Sequence, residues 1–130
     1  MDKALKKQAK EWFEKGDHDF ETAQLLLAEK GYIDVISYHI QQAIEKYVKG
    51  YLVLNGHTPP RIHDLDSLLN LVAKFDKNFY DEFIELCEKA TKYYFEDRYP
   101  PGTPTRQNYA DMEEDLKKAN ELIQAIKNKL

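Results

Sequence analysis

An all-α fold, an antiparallel up-and-down bundle of about five helices, is predicted by three observations. Apolar residues recur at three- and four-residue spacing through each long segment, as one buried helical face requires. No segment shows the strict alternation of a half-buried strand. Gly31, Gly56 and the Pro100–Pro104 stretch fall between the periodic segments, where a chain of helices needs its breaks.

The first helix is predicted from about Ala4 to Lys30, with Leu5, Ala9, Trp12, Phe20, Ala23 and Leu27 facing inward. Gly16 weakens it midway by about 1 kcal/mol relative to alanine, and Gly31 suits the C′ position at its end. The second helix runs from about Ile33 to Asn55, with Asp34 favourable in its first turn and Gly56 as its stop. His57-Thr58-Pro59-Pro60-Arg61 reads as an extended linker, because each proline restricts the residue before it. A third, shorter helix covers about Leu65 to Phe75, with Asp64 as N-cap. The fourth spans about Asn78 to Glu96. Arg98-Tyr99-Pro100-Pro101-Gly102-Thr103-Pro104 cannot be helical. The last runs from about Gln107 to Asn128, with Ala110, Leu116, Ala119, Leu122, Ile123 and Ile126 inward. Two long helices forming a hairpin, with three more packed against it, is the simplest architecture.

Residues 1–130 read as one domain, long enough to bury its own core, with no internal repeat. A net charge of −4 argues against a general DNA or RNA coat, which is ordinarily basic. No segment approaches the ~18 apolar residues of a membrane span, and the charged start Met1-Asp2-Lys3-Ala4-Leu5-Lys6-Lys7 is unlike a signal peptide. The expectation is a cytoplasmic protein. The single cysteine, Cys87, lies in the apolar pattern Phe83, Ile84, Leu86, Cys87, as a buried structural thiol would.

Several chemistries lack their residues. There is no glycine-rich phosphate loop, no cysteine pair or His-Glu-x-x-His for zinc, and no Glu-x-x-His pair for a di-metal bundle. Neither a metal nor a cofactor is expected. The carboxylates Glu82, Glu85, Glu113 and Glu114 read as solvated surface.

Three polar clusters remain. On the second helix, His39, Gln42 and Lys46 fall within roughly 60° of one another, with Glu45 nearby and Ile36, Ile40, Ala43, Ile44 and Tyr47 as the adjoining apolar arc. Arg61, His63 and Asp64 precede the third helix. Arg98, Tyr99 and Pro100 follow the fourth. Only three of the 19 cations are arginines, and two of them stand at these junctions. Arginine offers a planar fork suited to phosphate and lysine a point charge, so one cation from each cluster would make an anion or nucleotide site. Each cluster also has a plain structural reading. His39 can be a partly buried residue bonded to a neighbour. Glu45 and Lys46 can be surface charges, and His63-Asp64 a helix start. Arg98 can tie down loop carbonyls. The aromatic run Tyr93, Tyr94, Phe95 and Tyr99 can stack on a base or simply pack.

Taken in order, Trp12, Asp19-Phe20-x-x-Ala23, Gly31-Tyr32, His39-x-Gln41-Gln42-Ala43-x-Glu45-Lys46-x-x-Lys49, His63-Asp64-Leu65-x-x-Leu68 and Arg98-Tyr99-Pro100 resemble the HEPN family, the higher eukaryotes and prokaryotes nucleotide-binding domain. The resemblance spans nearly the whole chain, and Gln-Gln-Ala-x-Glu-Lys is its most specific element. It implies a five-helix bundle that commonly forms a homodimer. It also implies a minimal nucleotidyltransferase as protein partner in a two-component, toxin–antitoxin-like module, and either nucleotide binding or metal-independent RNA cleavage. The ribonuclease branch carries an arginine followed within a few residues by a histidine near the end of the fourth helix. Arg98 stands in that place, but the last histidine is His63, and RNA cleavage near neutral pH needs a group that moves a proton. The sequence therefore points to binding rather than catalysis. The expected ligand-binding residues are His39, Gln42, Lys46, Arg61, His63, Arg98 and Tyr99, with the dimer formed through the second and fourth helices. The alternatives are a ribonuclease toxin and a protein-interaction subunit without catalysis. Gly50 departs from the small alanine-like residue usual at its position.

Overall fold

The computed structural model describes residues 2–98 and 107–130, and for residues 93–98 only the course of the helix. Five helices follow in order: α1 (Lys3–Ala28), α2 (Ile33–Leu54), α3 (Leu65–Val72), α4 (Lys77–Arg98) and α5 (Tyr109–Lys127). No strand occurs among the described residues. No helix there is long and apolar enough to cross a membrane.

The hydrophobic surface of α2 decides the arrangement. Its apolar residues lie so far round the helix that fifteen of 22 are buried, and it packs against each of the other four helices. The expected arc of Ile36, Ile40, Ala43, Ile44 and Tyr47 is wholly inside. α1 lies along α2 as an antiparallel hairpin, burying Ala9, Phe13, Gly16 and Ala23. In α5, Leu116, Ala119, Leu122, Ile123 and Ile126 face inward as expected. Met112 and Asp115 do so as well, whereas Ala110 is exposed.

Gly16 does not loosen α1; the helix runs unbroken through it. A Cβ there would lie 2.6 Å from Tyr47 Cδ2, and one on Gly50 would lie 2.4 Å from Phe13 Cε1. The two glycines let α1 and α2 approach closely, and Phe13 and Tyr47 stack between them at 4.9 Å.

The helix ends follow from local chemistry. At the end of α1 the left-handed residue is Lys30 (φ 57°), not Gly31. Its N–H donates to the Leu27 carbonyl and that of Gly31 to Leu26, a Schellman closure that places Gly31 one position further on. A side chain on Gly31 would press on Leu26. Gly56 (φ 83°) ends α2 in the same motif. Asp64 stands at the start of α3, but its carboxylate accepts from Ser67 Oγ. The Leu65 N–H, one position before those an N-cap side chain serves, donates to Thr91 Oγ1 at 2.8 Å. Asn108 and Asp111 form a capping box for α5.

Two carboxylates tie the helices together with opposite responses to pH. Burial raises the Asp115 carboxyl, against the pull of Lys89 at 2.9 Å. Burial would also raise Asp76. Hydrogen bonds from the Tyr51 hydroxyl (2.6 Å) and the Phe79 N–H (3.1 Å), with the charge of Lys129, outweigh it and hold Asp76 below the usual 3.8. A native carboxylate that protonates at lower pH than the unfolded one stabilises fully above pH 3.8, and that stability is lost as pH falls through its native value. Asp76→Ala is therefore expected to lower stability at neutral pH by about 1–2 kcal/mol, through a lost N-cap and a lost acceptor. The gap to the parent should narrow on acidification below that value. Urea midpoints of both proteins across the acid range check this; a gap that ignores pH would show that the charge contributes nothing.

Cys87 is fully buried, and burial pushes its thiol well above the usual value. It packs as a small apolar side chain, as its sequence pattern suggests.

Candidate functional site

α2 carries two adjacent ladders of polar side chains. His39, Gln42 and Lys46 form one, at spacings of three and four residues. Gln41, Glu45 and Lys49 form the other, at spacings of four.

The first ladder meets α1 at Asp19. His39 Nδ1 lies 2.8 Å from Asp19 Oδ1, and Lys46 Nζ pairs with Oδ2 of the same carboxylate. A carboxylate only accepts, so His39 Nδ1 carries the hydrogen. His39 and Lys46 are each about a quarter exposed, so the cluster sits at the rim of the hairpin and not in its core.

The second ladder is inside. Gln41 is fully buried, and Glu45 and Lys49 are 4% and 5% exposed. Charges at that depth require partners, and they have them. Glu45 accepts from Gln41 Nε2 at 3.1 Å, from Lys49 Nζ at 3.1 Å and from His63 Nδ1 at 3.2 Å. Gln41 Nε2 also donates to the His63 carbonyl at 3.1 Å, and Gln42 Nε2 donates to Gln41 Oε1 at 2.7 Å. The Lys49 ammonium lies 5.7 Å from the centre of the Trp12 ring, within reach of its negative face.

Trp12 stands where this network approaches the surface. A depression of about 350 Å³ is lined by Glu11, Trp12, Lys15 and Lys46. A second, of about 330 Å³, is lined by Leu5, Gln8, Trp12, Val53, Gly56, His57, Thr58 and Pro59. The indole forms a wall of both. An aromatic face beside two ammonium groups can stack on a flat ring and hold an anion.

The first two sequence clusters are thus joined. His39 and Lys46 meet at Asp19; Gln42 connects through Gln41 and Glu45 to His63. Arg61 is exposed in the linker. Arg98 ends α4, but its side chain and all of Tyr99 lie outside the described residues, as do the side chains of Tyr93, Tyr94 and Phe95. Glu45 is no surface charge. Asp19, Lys49 and Trp12 complete the arrangement. A signal for Lys49 existed in the regular Gln41, Glu45, Lys49 spacing on a helix that is apolar around most of its circumference. Asp19 had none apart from its place in the family pattern.

Comparison with known proteins places the chain in a family. The family model described as HEPN domain matches residues 9–129. A protein of Methanocaldococcus jannaschii described as "Putative toxin MJ1304" is 30% identical over 139 aligned positions, which cover 94% of this chain and 88% of that protein. The crystal structure of TT1696 from Thermus thermophilus shares the fold with a TM-score of 0.78 at 25% identity, over 95% of this chain and 98% of that one. With its five-helix bundle and a family match over nearly its whole length, this chain belongs to the HEPN domain family.

Proposed function

We propose that this HEPN protein is the toxin-like component of a two-component, toxin–antitoxin-like module, and that it binds a nucleotide or another phosphate-bearing ligand at the rim of the α1–α2 hairpin. One observation carries the ligand reading: Lys15 and Lys46 flank the Trp12 ring in an open depression of about 350 Å³, a size within the ordinary range of small-molecule sites. An ammonium has three donors, so Lys46 can hold Asp19 with one and a phosphate oxygen with another. Asp19 and His39 fix the Lys46 head, and the Glu45 network beneath holds Lys49 and Trp12. The toxin-like reading is supported by the description of the Methanocaldococcus relative. The partner of the module is a minimal nucleotidyltransferase, and the protein acts as a homodimer in the cytoplasm.

The ligand is tested by thermal unfolding against nucleoside mono-, di- and triphosphates, with Lys46→Ala and Arg98→Ala alongside. A ligand at about 100 times its dissociation constant adds about 2.7 kcal/mol to the native state. The expected result is a rise in melting temperature for at least one nucleotide, abolished by Lys46→Ala. No rise across the panel removes the ligand from the proposal. Co-purification with the nucleotidyltransferase then decides the remaining half.

A further inference from the structure

The first turns of α1 carry charge that the helix itself does not want. Lys3, Lys6, Lys7 and Lys10 line a shallow surface depression of about 420 Å³, bordered by Glu11 and Glu14. Their spacing puts them in one row about 10 Å long. Lys3, Lys7 and Lys10 are exposed, and none of the four is ion-paired to a described residue. Cations at a helix N-terminus oppose the macrodipole. The first turn of α1 holds no acidic residue to offset them; only Asp2, the N-cap, accepts the Ala4 and Leu5 N–H groups. The rest of the chain has the opposite sign: 15 of the 19 cations but 22 of the 23 acids lie beyond residue 10, a net −7. A local rule broken in this way, within an acidic protein, points to use rather than to folding.

We propose that this lysine row is a docking surface for the phosphodiester backbone of a single nucleic-acid strand. It lies on the opposite flank of α1 from Trp12 and is independent of the small-ligand site. The other partners fit less well. A membrane-bound helix needs an open apolar face, and the apolar face of α1 is buried against α2 through Ala9 and Phe13. A protein partner needs an apolar or aromatic anchor, and only lysine and glutamate line the depression. On a second copy of this chain the exposed Glu82, Glu85 and Glu88 of α4 are interleaved with Lys89 and Lys92, and Glu113 and Glu114 of α5 are followed by Lys117 and Lys118, so neither helix presents an unbroken acidic row to match four lysines. A strand needs nothing but spaced cations. One row meets one backbone, and the acidic body repels a second strand, which favours single strands over duplex.

The test is fluorescence anisotropy of a labelled oligouridylate of about 20 nucleotides; four lysine–phosphate contacts give a salt slope near −2.8, or roughly 50-fold weaker binding between about 50 and 200 mM salt. K3Q/K6Q/K7Q/K10Q should abolish strand binding while its circular dichroism matches the parent. K3R/K6R/K7R/K10R, which keeps the charge, should retain it. Three results would each overturn the proposal: no strand binding at the lower salt, a glutamine variant that binds like the parent, or capture by phosphatidylserine vesicles without strand binding.

Discussion

Glu45→Ala is expected to remove about 3–5 kcal/mol of stability, the cost of leaving a buried cation without its counter-ion. The Lys49 side chain is only 7% exposed and Glu45 is its paired carboxylate. Gln41 Nε2 and His63 Nδ1 lose an acceptor in the same change. Against a typical native stability of about 5–15 kcal/mol, that is a large share. The second variant that makes the test specific is Glu45→Ala with Lys49→Met. Replacing both charges by apolar groups is often nearly neutral, so the double variant should recover much of the loss. Lys46→Ala, one residue along the same helix, should cost about 1 kcal/mol or less, since its pair with Asp19 is partly solvated. Urea unfolding of the variants gives all three numbers. Should Glu45→Ala unfold within about 1 kcal/mol of the parent, water reaches the pair and the network is not the support beneath Trp12.

Gly50→Ala has the next largest expected effect, and its sign opposes helix propensity. In an exposed helix the change would stabilise by about 1 kcal/mol. Here the new Cβ would stand 2.4 and 2.8 Å from Phe13 Cε1 and Cδ1, and 3.1 Å from Trp12 Cβ. The Phe13 ring cannot swing away cheaply, because it is buried and stacked on Tyr47. Overpacking of this kind costs about 1–3 kcal/mol, so the net expectation is a melting temperature lower by several degrees. The change also presses on the residue that forms the wall of the proposed ligand site, so nucleotide binding should weaken with it. A melting temperature at or above that of the parent would show that α1 can step back from α2 without loss.

These two positions show what was legible in the sequence. The element order was legible, because apolar periodicity and the Gly and Pro breaks act locally. The helix boundaries shifted by a few residues for reasons that are also local. Lys30 takes the left-handed position with Gly31 packed against Leu26 just after it, and the Asp64 carboxylate accepts from the Ser67 hydroxyl rather than from a backbone N–H of the first turn. The internal glycines mislead in sequence, since propensity counts what glycine costs one helix and is silent about what its absent side chain allows between two. Gly50 departs from an alanine-like residue because Phe13 occupies that space. The polar stripe of α2 was visible as a stripe, and the pairing of His39 with Lys46 followed from helical geometry. Which of its groups faced water was not visible. Glu45 and Lys46 are neighbours in sequence and differ in burial by the turn of one residue. Asp19 comes from another helix, and only the packing of α1 on α2 brings it there.

The central place of α2 has a consequence for how the molecule opens. Its largest partner is the helix just before it in sequence, joined by a turn of a few residues, so the chain closes little loop to form that interface. Contacts so local favour rapid folding, with the α1–α2 hairpin as the first lasting structure. In the reverse direction, α3, α4 and α5 can each loosen while α2 stays covered by the others. The amide hydrogens in the middle of α2 should therefore exchange with solvent only when the whole domain unfolds. The rim where Asp19, His39 and Lys46 meet is thereby fixed to the last part of the protein to come apart.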